Sequence, residues 1–152
     1  MLPRPLLEST TTGEHDMTNF SGSYSAKTES QSTVNGPGNH QIGLMVACGP
    51  QETADANWKG AIMTQWATAD TVNGNGTMRG YFRNVHPNGD TDYGTSECTV
   101  AMSGTDAIME GSWRFVGGTG KFAKITGNGV FSAKQTSPID SEGTWSGSYS
   151  LG

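Results

Sequence analysis

The stretch MRGYFRNVHPNGDTDYGTSEC, residues 78–98, contains two short runs of alternating residues separated by a turn. Within the turn, Pro87 suits the first corner position because its ring fixes φ near −65°. Gly89 suits the left-handed position of a short hairpin loop. The stretch therefore predicts a β-hairpin.

The hairpin loop also predicts how the two strands pair. If the loop spans residues 86–90, Met78 faces Cys98 and Arg79 faces Glu97. Apolar then meets apolar and positive charge meets negative charge, whereas a slip by one residue would mix the two faces. The pattern predicts one apolar and one polar face.

The same alternation continues outward from this hairpin over nearly the whole chain. Side chains on a strand point to opposite faces with a period of two, so each run predicts a strand. The runs lie at residues 20–27, 42–48, 58–68, 78–84, 91–103, 108–116, 128–135 and 144–151. Eight strands with short connections predict an all-β, antiparallel up-and-down barrel, or alternatively a β-sandwich. We expect one domain at residues 19–152, after a disordered extension at residues 1–18.

A four-residue turn at 104–107 would join the fifth and sixth runs and place Met102 opposite Met109 and Glu97 opposite Arg114. Arg79 would then complete a row of three charged side chains. Burying such a row costs several kcal/mol per ion, whereas exposure to water costs almost nothing. We therefore expect this row on the outer face of the barrel.

Two further patterns bear on assembly. Residues 42–48 (IGLMVAC) are apolar on both faces, which favours coverage on both sides and predicts a homo-oligomer contact. Residues 20–25 (FSGSYS) and 145–150 (WSGSYS) nearly repeat each other, as expected of first and last strands that lie side by side and close a barrel.

The face opposite the charged row carries aromatic rings and glycines. Eight-stranded barrels are either filled by side chains or hold one small ligand, and this mixture favours a cavity. Among the inward residues, Tyr24, Asn84 and Tyr149 are candidate catalytic groups, because phenols and amides can orient a ligand without a buried charge. The expected ligand-binding residues are Phe20, Tyr24, Trp66, Phe82, Asn84, Trp113, Trp145 and Tyr149.

The segment GGTGKFAKITG, residues 117–127, lies between a strand ending in WRFV and one that includes GVF. It resembles the glycine-rich crossover of the allene oxide cyclase-like barrels, a calycin-type group with bacterial members of unsettled function, to which dirigent proteins are also similar. The resemblance implies an eight-stranded barrel and, in several members, oligomers. The activity that this resemblance implies is the one of the plant cyclases, which cyclise an unsaturated fatty-acid epoxide without a cofactor. Within this segment, Phe122 and Ile125 are expected to plug one barrel end.

Composition excludes several classes of function. The net charge of −5 and the lack of a Lys/Arg cluster argue against nucleic acid binding, and no apolar run is long enough to cross a membrane as a helix. Phe115 and Phe122 stand where a phosphate-binding loop needs Gly and Ser/Thr. His86, Asp90 and Asp92 suit a solvated turn better than a metal site. We expect neither cofactor nor metal.

The expected function is binding of an apolar or aromatic small molecule inside the barrel. The protein would then be either a cofactor-independent enzyme that catalyses isomerisation, cyclisation or a lyase step, or a non-catalytic carrier of the ligand. A third alternative is a structural module with a solid interior that forms oligomers. Two cysteines and no signal sequence predict a cytoplasmic protein, or alternatively an exported one with a Cys48–Cys98 disulfide.

Overall fold

The computed structural model describes residues 17–152, which form a closed antiparallel barrel with its strands in sequence order. The prediction for residues 1–16 lies outside the described residues. The all-β, eight-stranded, up-and-down barrel is confirmed, and the β-sandwich alternative is wrong. The strands are β1 (Thr18–Asn35), β2 (His40–Thr53), β3 (Ile62–Val72), β4 (Asn75–Val85), β5 (Thr91–Ser103), β6 (Asp106–Gly118), β7 (Thr126–Gln135) and β8 (Asp140–Ser150).

Strands β1 and β8 close the barrel, as their similar sequences predict. The antiparallel register places Phe20 opposite Gly147 and Trp145 opposite Gly22. A Cβ atom on Gly22 would collide with the Trp145 ring. Each strand therefore supplies rings where its neighbour supplies glycine, and the two strands interlock.

The predicted β4–β5 register is confirmed: Met78 pairs with Cys98 and Arg79 with Glu97. The predicted β5–β6 register is wrong by two residues, since Met102 pairs with Ala107. The cause is a two-residue turn in which Gly104 adopts φ +64°, where we expected four residues. A shift of two leaves every side chain on its expected face.

Two strand limits differ from expectation at the connection between β2 and β3. Strand β2 continues through Gly49 and Pro50 to Thr53, and Pro50 pairs with Ile62. Trp58 belongs to a 3-10 helix at Ala56–Trp58, outside the third strand. The extension of β2 brings Gln51 within reach of the barrel interior.

The two ends of the barrel differ. At one end, here called the closed end, the 3-10 helices Ala56–Trp58 and Gly120–Phe122 cover the interior. Trp58 is 2% exposed, Phe122 is 0% exposed, and Ile125 is also buried, so the predicted plug by Phe122 and Ile125 is confirmed. The other end, here called the hairpin end, carries the β1–β2, β3–β4, β5–β6 and β7–β8 turns. Nowhere in residues 17–152 is there a helix of the length and apolarity needed to span a membrane.

Strand alternation separates the two cysteines. The inward neighbour Ala47 is buried, which places Cys48 on the outer wall, whereas Cys98 packs against the core inside the barrel. Both thiols are free. The alternative of a Cys48–Cys98 disulfide is therefore wrong for this structure, because the sheet itself lies between the two side chains.

The charged residues are on the outer wall as expected. Arg79, Glu97 and Arg114 are all exposed. The two-residue shift in β6 places Arg114 opposite Thr95 instead of Glu97, so the row of three does not form. The ion pairs found among the described residues involve none of these three side chains.

Candidate functional site

A cavity of about 70 Å³ lies inside the barrel, and we call it the aromatic cavity. Its wall combines eight aromatic side chains, one of them the phenol of Tyr24, with three amides, the Ser96 hydroxyl and one thioether, and it includes no formally charged side chain. The lining residues are Phe20, Tyr24, Gln51, Trp58, Met63, Gln65, Phe82, Asn84, Ser96, Trp113, Phe115, Phe131 and Trp145.

Most neighbouring rings of the cavity wall meet edge to face, whereas Phe115 stacks on Phe20 and on Trp58. The centroids of Phe20 and Trp113 are 5.7 Å apart at an interplanar angle of 87°, and those of Trp113 and Trp145 are 6.4 Å apart at 88°. This geometry places the positive edge of one ring against the negative face of the next. Trp113 also lies over Gly129 and Gly147, where a Cβ atom would approach its Cζ2 to 2.5 and 2.7 Å. The wall is therefore held by specific contacts as well as by burial.

The polar side of the cavity begins at Asp92, which is completely buried. Asn84 donates from Nδ2 to Asp92 Oδ1 at 2.9 Å, and Gln51 donates from Nε2 to Asn84 Oδ1 at 3.1 Å. Trp145 then donates from Nε1 to Gln51 Oε1 at 2.9 Å. Because a carboxylate only accepts hydrogen bonds, Asp92 determines which way each amide in this chain points.

Behind Asp92 lies a second partner for its carboxylate. His86 Nε2 is 2.6 Å from Asp92 Oδ2, and both side chains are buried. The His86 ring stacks on Phe122 with centroids 4.2 Å apart. Asp92 is thus satisfied on both oxygens, and Asn84 separates this pair from the cavity. The pair orients the cavity amides and does not itself face a ligand.

Tyr24, which pairs with Gln51 across β1 and β2, supplies a hydroxyl to the cavity wall. Burial raises the pKa of this phenol above its ordinary value, while a hydrogen bond with Gln65 opposes the shift and nearby Cys98 adds to it. The hydroxyl therefore stays protonated near neutral pH and can donate a hydrogen bond. Together with the second N–H of Asn84, it offers a ligand donors rather than anions, whereas the two N–H groups of Gln51 bind Asn84 Oδ1 and Met63 Sδ.

The structure brings together six of the eight predicted ligand-binding residues. The expectation that Trp66 faces the interior is wrong: it lies on the outer wall, where the guanidinium of Arg83 is 5.2 Å from its ring centroid. Trp66 pairs with the exposed Tyr81, whereas Gln65 pairs with the inward Phe82. The six that line the cavity are Phe20, Tyr24, Phe82, Asn84, Trp113 and Trp145.

Tyr149 points inward but does not line the aromatic cavity. Its hydroxyl donates to Asp55 Oδ2 at 2.7 Å and accepts from Asn57 Nδ2 at 3.0 Å. Burial and the hydrogen bond to Asp55 raise the pKa of this phenol. These contacts anchor the 3-10 helix Ala56–Trp58 over the closed end, so Tyr149 stabilises this end of the barrel.

Several lining residues were missed by the sequence analysis. Phe115 is in phase with the inward Trp113 of β6, and Phe131 with the buried Ala133 of β7, a signal that could have identified them. Gln51 follows Pro50, which we had taken as the end of its strand. Gln65 could have been found from the Asn73-Gly74 turn, because a two-residue turn there places Phe82 opposite Gln65 rather than Trp66.

The turn residues that were weighed as metal ligands are divided between different partners. Asp90 accepts from Asn88 at the surface, while His86 and Asp92 bind each other inside. Within residues 17–152, no group of three or more His, Cys, Asp or Glu side chains is arranged to hold a metal ion.

Comparison with known proteins gives a likeness of fold. No protein-family model matches the chain, and no curated protein matches its sequence. Among solved structures, the chain is similar to the pterocarpan synthase dirigent protein GePTS1, with a TM-score of 0.53 and 15% sequence identity over 99% of this chain and 96% of that chain. At this identity the likeness concerns the fold alone. The chain therefore has a dirigent-like eight-stranded barrel fold.

Proposed function

We propose that this protein binds an apolar or aromatic small molecule inside its barrel. The observation that carries the proposal is the aromatic cavity, in which rings surround a chain of amides oriented by Asp92. Rings would bind the flat part of the ligand, and the second N–H of Asn84 and the Tyr24 hydroxyl would bind an acceptor oxygen. Ligand pockets commonly combine an apolar wall with a few such polar groups.

The chemistry that fits this site is cofactor-independent isomerisation, cyclisation or a lyase step. Tyr24 and Asn84 can stabilise charge that develops on a ligand oxygen, and the rings can hold a reactive conformer. The crossover at residues 117–127 resembles that of the allene oxide cyclase-like barrels, and the similar solved structure is that of a protein named as a synthase. Both support a reactive small-molecule ligand. A non-catalytic carrier is the second candidate, because no charged side chain lines the cavity.

The experiment that separates enzyme from carrier is native mass spectrometry of the purified protein, followed by incubation with the compound that it retains. Conversion of the compound supports an enzyme, and release of the unchanged compound supports a carrier. A protein that retains nothing, and binds no member of a library of single-ring aromatic compounds, would contradict the proposal.

Trp145 and Trp66 provide a matched pair of variants. Trp145→Ala removes a ring from the cavity wall and the N–H that binds Gln51, and we expect ligand binding to be lost while the fold is retained. Trp66→Ala removes the same side chain from the outer wall and is expected to leave affinity unchanged. Equal affinities in the two variants, measured by calorimetry, would contradict the assigned pocket.

We also propose that the protein forms a homo-oligomer through the outer face of β2. Ile42 is 51% exposed and Leu44 is 59% exposed, while the inward neighbours Met45 and Ala47 pack on the core. Adjacent exposed apolar side chains on a sheet favour burial against another surface. A second copy of the chain supplies that surface in this proposal.

A further inference from the structure

We infer that the hairpin-end half of the barrel interior is an adaptable second subsite, through which the ligand enters and in which its flexible part is held. Met45, Met78 and Met109 define this half, which we call the methionine compartment. The inference rests on the proposed function. It adds a ligand class, namely a single aromatic ring that carries an acceptor oxygen and an apolar chain.

A second cavity, of about 40 Å³, lies in the methionine compartment. Four of its lining residues also line the aromatic cavity, so the two spaces share a wall inside one barrel. The shared residues are Tyr24, Gln65, Ser96 and Phe131. A ligand can therefore occupy both spaces if the side chains between them move.

The direction of entry follows from burial. Trp58 and Phe122 at the closed end are almost completely buried and are held by the Tyr149 and His86 contacts. Met45 and Met78 at the hairpin end are only partly buried. A ligand that enters past the methionines displaces a few side chains, whereas one that enters at the closed end would have to displace two 3-10 helices.

The small volume of the aromatic cavity means that side chains must move before a ligand can bind. An apolar cavity of about 150 Å³ is known to hold benzene, and pockets for larger ligands are commonly about 300–1,000 Å³. The aromatic cavity has about 70 Å³, which is too small for a substituted ring without rearrangement. Whichever side chains move most easily therefore decide which ligands fit.

The two halves of the interior differ in how easily they can rearrange. Rings in the aromatic half are held by edge-to-face contacts and by glycines, as Trp113 is held over Gly129 and Gly147. Methionine is unbranched, has three rotatable bonds and repacks readily around irregular shapes. Expansion therefore occurs on the side of Met78 and Met109, and the ring of the ligand stays in the aromatic half.

Two probes test the inference: phenol, which is a ring alone, and 4-hexylphenol, which carries the chain. The double variant Met78→Ile/Met109→Ile replaces two flexible side chains by branched ones that repack poorly. We expect its affinity for 4-hexylphenol to fall about tenfold, the size of a modest packing defect, and its affinity for phenol, which needs less of this expansion, to fall by a smaller factor. The control Met102→Ile changes an exposed methionine next to the β5–β6 turn and should change neither affinity.

Methyl resonances of the wild-type methionines provide a second readout that does not depend on the variant folding. Met45, Met78 and Met109 should shift more with 4-hexylphenol than with phenol, and Met102 should shift with neither. Equal effects of the two probes, or no effect at Met45, Met78 and Met109, would overturn the inference while leaving the proposed function intact. Failure of both probes to bind the wild-type protein would instead count against the proposed function.

Discussion

At the scale of single residues, Asp92 is the side chain on which the polar side of the cavity depends. It is completely buried, and its two oxygens bind Asn84 and His86. Strand alternation determines the face of Asn84, so its inward position could be predicted from the sequence. The role of Asp92 could not, because it depends on the packing of a turn histidine beneath Phe122.

The variant Asp92→Asn should destabilise the protein by about 3 kcal/mol, since it replaces a buried acceptor by a group that must donate toward His86 or Asn84. Asp70→Asn is a matched control, because Asp70 also binds a histidine at 2.6 Å but is 63% exposed. Its effect should be below about 1 kcal/mol. Urea unfolding of both variants measures the difference, and similar small losses would show that Asp92 is not needed for the network.

Burial raises the pKa of the Cys98 thiol from its usual 9.0 to about 11. The folded state therefore holds this proton more tightly than the unfolded chain, and stability is constant below pH 9 and falls as the pH rises toward 11. Because the thiol is only partly buried, the loss should be about 1 kcal/mol. In a Cys48→Ser variant, thiolate absorbance should titrate near pH 11. A midpoint near pH 9 would mean that water reaches the thiol freely.

At the scale of elements, turns decided which sequence predictions succeeded. The 86–90 loop gave the correct β4–β5 register because proline and glycine each fit one position in it. Asn73 and Gly74, with φ of 53° and 80°, form a two-residue turn that places Trp66 outside. The residue alternation in β3 did not show whether Trp66 or Gln65 faces the interior. Gln65 is polar, yet it points inward and contacts Met63.

Glycines of neighbouring strands make room for the aromatic rings. An alanine at such a glycine should therefore destabilise the protein more than an alanine at a glycine with no close neighbouring atom. Gly147→Ala would place a Cβ atom 2.7 Å from Trp113 Cζ2 and against the backbone of β7, which should cost about 2–3 kcal/mol. Gly43→Ala on β2 meets no atom closer than 3.7 Å and should be neutral or slightly stabilising. Thermal unfolding compares the two, and equal melting temperatures would argue against the close packing of Trp113 over β7 and β8.

At the scale of the whole molecule, alternation and short turns were sufficient to predict eight antiparallel strands in sequence order and, except at Trp66, which of the candidate ligand-binding residues face inward, while a β-sandwich remained the alternative to the barrel. They were insufficient for the cavity, because its size depends on how Trp58 and Phe122 cover the closed end. Those two side chains lie on connections whose path no strand pattern specifies.

The proposed oligomer is tested by charge placed on its contact face. Leu44→Glu on β2 should dissociate the oligomer, because a carboxylate would have to be buried in the interface. Val130→Glu, at a residue 58% exposed on β7, is the control and should leave the mass unchanged. Sedimentation equilibrium measures both, and a wild-type protein that is monomeric at all concentrations would contradict the proposal.

The most direct test of the central claim is a crystal structure of the protein soaked in phenol. The account predicts density for one ring inside the barrel, in the aromatic cavity, with its oxygen within hydrogen-bond distance of Asn84 or Tyr24. Phenol bound only on the outer wall, with the interior unchanged, would contradict the claim that the barrel is a binding site.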